Sequence, residues 1–330
     1  MILKEIKHNV KMYTVSNETL LYLDDIGLRI NDDVFDNCDN DYFIKYKSKV
    51  IYRFNEGTYI DDQFLNKTVV QDSLYAQTGI FYFDFNVGDL TSEFELINLE
   101  DLSVIYSFGR HYAGIQNVIR LDDYIVINFK NQIKCYCNKS YKLLWNIEGD
   151  FNILYGYYEG SLYVLESKKN LVEIDIETGS INYNFEEISN LPEGTNKDGF
   201  SLDFTNLKLD QNKGLLVGIF HTFYVEIELN TKTINVYNLR DQLEGTNVIS
   251  FKSFSNLSFN DQHLAVLAYA KLKEDPKVLY GANVLINRNT KTIEWTHVFK
   301  DYGLGTNAPI ITNDHLYQID FNGDLYIFER

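Results

Sequence analysis

Among the side chains able to do acid–base, nucleophilic or metal chemistry are 6 histidines, 3 cysteines and 47 Asp and Glu residues. A metal site needs several of them converging at ligand spacing, and His8, His111, His221, His263, His297 and His315 are scattered and never so spaced. His263 and His315 each precede an apolar run in a polar turn, which marks them as parts of a repeated element. Cys135 and Cys137 lie two apart in an apparent strand and so share a face, yet no second Cys or His pair accompanies them. General acid–base work needs carboxylates held against a substrate. The pairs Asp24 and Asp25, Asp61 and Asp62, and Asp122 and Asp123 instead sit in polar connections and read as solvated turn residues. No GxSxG elbow, Walker loop, HExxH or dinucleotide fingerprint occurs. The sequence predicts no catalytic residue, no metal and no cofactor.

Acidity is the stronger chemical signal. Lys and Arg number 30 against 47 Asp and Glu, a formal charge of 30 − 47 = −17. That balance opposes nucleic acid or an anionic bilayer bound through a general basic field, and favours a basic partner. The segment 24–41, DDIGLRINDDVFDNCDND, carries seven Asp against one Arg, a local charge of 1 − 7 = −6. It lacks the glycine and terminal glutamate of an EF-hand loop. Such a block reads either as a solvated loop or as part of a partner surface. On the second reading Asp24, Asp25, Asp32, Asp33, Asp36, Asp39 and Asp41 contact the partner together with Phe35. Connections between repeats add Glu56, Asp61, Asp62, Glu148, Asp150, Glu193, Asp198, Glu244 and Asp301, and Tyr59, Arg110, His111, Tyr112 and Tyr302 lie in or beside these loops. One acidic face is expected, with aromatic anchors inside it.

The elements that must position these residues are strands. Aromatic residues make up 15% of the chain, an excess suited to pleated, half-buried surfaces, and only 3 prolines occur. Two internal repeats then appear. The first is a polar turn followed by an apolar strand: NETLLYL at 17–23, QDSLYA at 71–76, LDDYIVI at 121–127, EGSLYVL at 159–165, NKGLLVG at 212–218, DQHLAVL at 261–267 and NDHLYQI at 313–319. Their key residues, from Leu20 to Leu316, are separated by 54, 50, 38, 53, 49 and 52 positions, near the length of a four-stranded propeller blade. The second is a hairpin, clearest in IDIETGSINYNF at 174–185 and repeated at 226–237, 285–295, 135–145 and 96–106, with FIKYKSKVIYRF at 43–54 as a shorter copy in the first blade.

Together the repeats predict an all-β, seven-bladed β-propeller of four-stranded antiparallel blades, one domain over 1–330, with units near 10–54, 59–108, 112–148, 151–186, 200–240, 248–299 and 307–330. The last unit contains three strands, and an uncovered edge invites aggregation. The strand Ile2 to Lys7 is expected to cover it and close the ring. Gly-Thr-Asn recurs at 194–196, 245–247 and 305–307, where glycine would permit positive φ and Thr and Asn would bond the crossing backbone, with a ring of ligand-binding loops as the alternative.

Hairpins such as DIETGSINY and NRNTKTIEW, with strands such as NGDLYIF, resemble the repeats of quinoprotein-like and WD40-like propellers. The resemblance covers nearly the whole chain and implies the fold. Thr-Gly stands only at Thr178 and Gly179, the turn residue is Lys232 or Lys291 elsewhere, and no adjacent Cys-Cys pair occurs, so it does not imply quinone chemistry.

The N-terminus is too broken by charge for a signal sequence, and no run approaches the roughly 20 apolar residues of a membrane helix. A cytoplasmic protein is expected. Its predicted function is non-enzymatic protein binding, in its sharpest form an immunity or antitoxin-like protein that masks a basic toxin domain. The alternative is an enzyme or carbohydrate-binding protein that uses the central channel.

Overall fold

The computed structural model describes residues 1–330 apart from 17, 32, 37–41, 47–48, 55–56, 61–62, 66–67, 70–78, 87–90, 99–100, 113–114, 130, 167–169, 186–203, 253–256 and 300–307. Among the described residues, strands form eight antiparallel sheets, each a four-strand path. In chain order these are sheet 1 (12–36), sheet 2 (42–65), sheet 3 (68–112), sheet 4 (115–148), sheet 5 (151–184), sheet 6 (207–238), sheet 7 (248–299) and sheet 8 (310–329 with 2–7). Sheet 7 has a fifth strand, because its first strand is split into Val248–Phe251 and Leu257–Phe259, both paired to His263–Leu272. The helical elements described are the five-residue helix α1 (Arg240–Glu244) and a single 3-10 turn, Phe204–Asn206.

The chain divides into two compact units. Unit 1 holds Met1–Asp39 and Ile188–Arg330, with sheets 1, 6, 7 and 8; unit 2 holds Asn40–Glu187, with sheets 2 to 5.

Eight sheets replace the seven units expected from the repeats. Six of the seven polar-turn strands are indeed second strands of their sheets, in sheets 1, 4, 5, 6, 7 and 8. QDSLYA at 71–76 lies outside the described residues. The shorter hairpin at 43–54 does not complete sheet 1; its strands Tyr42–Tyr46 and Lys49–Phe54 open sheet 2. Sheet 1 is instead completed from the acidic segment, whose residues form the strands Leu28–Ile30 and Asp33–Asp36. Alternating Leu28 and Ile30, with the strand-favouring pair Val34 and Phe35, outweigh the density of Asp there.

The expected pairing of the N-terminal strand is present. Ile2–Lys7 lies antiparallel to Leu325–Glu329 as the outer strand of sheet 8.

Burial falls from the middle of a sheet outward. Second and third strands such as Ser161–Glu166 and Phe223–Glu228 are almost wholly buried, Glu226 included, while the outer strand Leu143–Glu148 alternates. In unit 1 a cluster of Tyr224, Leu243, Phe251, Leu264 and Val284 binds sheet 6 to sheet 7. In unit 2, Val126, Cys135, Phe151, Leu162 and Ile174 bind sheet 4 to sheet 5.

The five expected outer hairpins all form between third and fourth strands. Each turns through one left-handed residue at the same place: Leu102 (φ 59°), Tyr141 (φ 56°), Gly179 (φ 72°), Lys232 (φ 60°) and Lys291 (φ 58°). In four of them that residue's N–H donates to the carbonyl four positions earlier at 2.8 to 3.0 Å. Glycine takes this conformation without strain, and the other side chains cost about 1–2 kcal/mol each.

Candidate interaction surface

Strand direction alternates across a sheet, so the turn between second and third strands lies at the end where the fourth strand leaves for the next sheet. In unit 1 the connection 8–11, from the outer strand of sheet 8 to the first strand of sheet 1, runs between two such turns and bonds to both. Val10 N–H donates to the Gly323 carbonyl at 2.7 Å, and Lys11 N–H donates to the Leu23 carbonyl at 2.8 Å. His8 Nδ1 meets Asp324 Oδ1 at 2.8 Å, and Lys11 Nζ stands 3.8 Å from Asp25.

Each turn is organised by an aspartate at its start. Asp24 Oδ1 accepts from the N–H groups of Ile26 and Gly27, at 2.8 and 3.1 Å, and its other oxygen pairs with Arg29 Nε. Partial burial pushes the Asp24 carboxyl up, but these N–H bonds and the Arg29 guanidinium together hold it below the usual range. Asp320 Oδ1 accepts from Asn322 and Asp324 N–H at 2.8 and 2.9 Å. Gly323 (φ 83°) could not be another residue, since a Cβ there would lie 2.9 Å from the Val10 carbonyl oxygen. The effect is to hold Ile26, 58% exposed, and Phe321, 75% exposed, out into solvent on neighbouring turns amid Asp25 and Asp324. Sequence reasoning missed both. The available signal was an apolar residue inside turn chemistry, as in the Asp-Phe-Asn-Gly run 320–323.

The expected partner residues fare unevenly. Asp32, Asp39, Asp41, Glu56, Asp61, Asp62, Glu193, Asp198, Asp301 and Tyr302 lie outside the described residues. Phe35 and Asp36 stand in the outer strand of sheet 1, and His111 and Tyr112 in that of sheet 3. In unit 1 the structure separates Asp33 from Asp24 and Asp25: it pairs with Ile30 at one end of its hairpin, while the turn lies at the other, where Leu28 pairs with Asp36. Glu244 is exposed at the end of α1. In unit 2, Arg110, Glu148 and Asp150 are exposed, and Tyr59 is half-buried in a third strand between Tyr52 and Phe64. Not every exposed turn in unit 1 is acidic. In sheet 7 the strands His263–Leu272 and Asp275–Asn287 form an elongated hairpin whose turn region exposes Lys271, Lys273 and Lys277 beside Val278 and Leu279.

A concavity of about 420 Å³ opens beside α1, lined by His221, Thr222, Arg240, Glu244, Thr246 and Ile249 among others. Here Thr246 acts as expected, donating to the Leu243 carbonyl at 2.9 Å and accepting from Val248 N–H at 3.0 Å. Gly245 does not: its φ is −77°, ordinary right-handed backbone. The other two Gly-Thr-Asn copies lie outside the described residues.

Of the groups weighed for chemistry, His263 is buried with Nε2 2.8 Å from Glu294, beside Arg330. Burial pushes the Cys135 thiol up to about 12, while Ser140 and neighbouring N–H groups hold Cys137 below its ordinary value. Among the described residues, no three His, Cys, Asp or Glu side chains gather as metal ligands, and no helix is long and apolar enough to cross a membrane.

No protein-family model and no curated protein sequence matches this chain. Solved structures do. The computationally designed Ika8 protein superposes with a TM-score of 0.58 at 9% identity, covering 100% of this chain and 98% of its own. Sqt1 of Saccharomyces cerevisiae, a WD40 propeller, gives 0.52 at 12% identity, covering 97% of this chain and 84% of its own. At these identities the likeness is one of fold: all-β, of β-propeller type, built from four-stranded antiparallel sheets.

Proposed function

We propose that this chain is a non-enzymatic protein-binding protein of propeller type that recognises a basic partner through the turns of sheets 8 and 1. The observation that carries the reading is the exposure of Phe321 (75%) and Ile26 (58%) on two turns held rigidly by Asp320 and Asp24. Apolar anchors ringed by charge are how interfaces usually divide their work: the anchor, once desolvated, supplies most of the affinity, and the ring sets orientation and encounter rate. The net charge of −17 selects a partner of opposite sign. In its sharpest form the role is that of an immunity or antitoxin-like protein that masks a cationic toxin domain inside the cell.

The test is affinity capture with the full chain as bait, beside Phe321→Ala and Asp25→Lys. A basic partner should be retained by the parent chain, released at high salt because screening over about 8 Å weakens steering, and lost from Phe321→Ala. A partner retained equally by both variants would remove this surface from consideration.

A further inference from the structure

Unit 2 carries a second surface, independent of the one above. The outer strands of sheets 3, 4 and 5 each begin with apolar residues in solvent: Val104 and Ile105, Leu143 and Leu144, Ile181 and Tyr183, between 36% and 52% exposed. These sheets are consecutive. Phe94, Phe108, Val118 and Phe129 join sheet 3 to sheet 4, and Val126, Phe151 and Leu162 join sheet 4 to sheet 5. The three exposed starts occupy the same place after the same turn, so they form a repeating apolar belt. Single exposed apolar residues need no explanation, but an aligned series does.

Unit 1 shows how such a start is covered. On sheet 7 the equivalent residue is Ile293, which is half-buried against the cluster containing Leu243. The cover is α1, lying in the connection from sheet 6. Gln242 of this helix clasps the hairpin backbone with its carboxamide, Nε2 donating to the Lys291 carbonyl at 3.0 Å and Oε1 accepting from Ile293 N–H at 2.8 Å. Leu243 beside it is buried. In unit 2 the connections before sheets 4 and 5 are two residues each, positions 113–114 and 149–150, too short for a helix. The register is conserved in geometry: Leu143 pairs with Tyr136 and Ile181 with Ile174 just as Ile293 pairs with Ile286. The N–H groups of Leu143 and Ile181 therefore face outward from the outermost strand, as that of Ile293 does.

We propose that this belt docks an amphipathic helical segment of another protein, one that places an aliphatic side chain and an adjacent carboxamide where Leu243 and Gln242 stand on sheet 7. The aliphatic group covers Leu143 or Ile181, and the carboxamide bridges the outward N–H and the carbonyl two residues before it.

The probe is a fluorescein-labelled, helix-stapled peptide with the sequence of residues 238–247, titrated by anisotropy against the full chain. Saturable binding is expected, abolished by Leu143→Lys with Ile181→Lys, and weakened about tenfold when the glutamine in the peptide is replaced by alanine, since two hydrogen bonds are lost. Both substituted positions are exposed, and thermal melts of the variant check that it folds. The variant Asp25→Lys, on the other surface, should leave peptide binding unchanged, which separates failure here from failure of the proposed function. Absence of saturable binding, or binding indifferent to the lysine pair, would overturn the proposal. So would concentration-dependent dimerisation of the chain that the lysine pair abolishes, since the occupant would then be a second copy.

Discussion

At the seam between sheets 4 and 5 the indole of Trp145 lies against Gly179, and its Nε1–H donates to the Ile176 carbonyl at 2.7 Å. At the seam between sheets 6 and 7 the same turn position holds Lys291, whose ammonium lies 4.9 Å from the ring centre of Tyr224 and 5.1 Å from that of Tyr237, and 2.7 Å from Glu226. Arg288 of that turn reaches across to Asp210 at 2.5 Å. One turn geometry thus serves two chemistries. Where the left-handed residue has no side chain, the neighbouring sheet sends in an aromatic; where it has a long cationic one, the turn itself reaches back. The first seam is clasped by an aromatic ring, whereas the second adds charges removed from water to the apolar cluster that joins sheets 6 and 7.

That contrast is open to direct attack. The largest effect should come from Arg288→Ala, because the Arg288 and Asp210 side chains are 1% and 5% exposed and the aspartate would be left buried without its partner. A loss of about 3–5 kcal/mol in urea unfolding is expected, and a loss below about 1 kcal/mol would mean that the charged clasp adds little to the apolar cluster between sheets 6 and 7. Next is the turn residue itself. Gly179→Ala puts a Cβ 2.8 Å from the Trp145 ring at φ 72°, and should cost about 2 kcal/mol. Lys291→Gly loses the ion pair and ring contacts but relieves left-handed strain, so a net change of under about 1 kcal/mol is expected. Equal losses at the two positions would erase the distinction. Smallest is Leu102→Gly, at φ 59°, which removes strain at a turn with neither kind of clasp described. A gain of up to about 1 kcal/mol in thermal unfolding is expected.

Much of this architecture is legible in the residues. The outer hairpins announce themselves because their turns need Asn, Asp, Thr or Gly at fixed offsets, and most second strands because a polar turn precedes a buried run. Sheet 2 escapes for the opposite reason: KVIYRF follows Lys-Ser and its last two strands, Gly57–Ile60 and Gln63–Leu65, are short, so the count came to seven. The surfaces are harder. Leu143 and Leu144 continue an apolar alternation that looks like core, and their exposure depends on the length of a connection elsewhere in the chain. Phe321 stands in a turn where Asp320 accepts from the Asn322 and Asp324 N–H groups, and no apolar pattern marks it.

Sheet 8 has a consequence for how the chain is made. Its outer strand, Ile2–Lys7, is made before the other described strands and its partner Leu325–Glu329 after them, so the earliest of these strands is among the last to be paired. Bringing together ends more than 300 residues apart costs about 2 kcal/mol more chain entropy than closing a connection of about 30. The other seven sheets are built from strands near in sequence and can form as they appear. Until Leu325–Glu329 is made, Ile2–Lys7 therefore lacks the strand it pairs with, and its open edge is satisfied only when the chain reaches that strand.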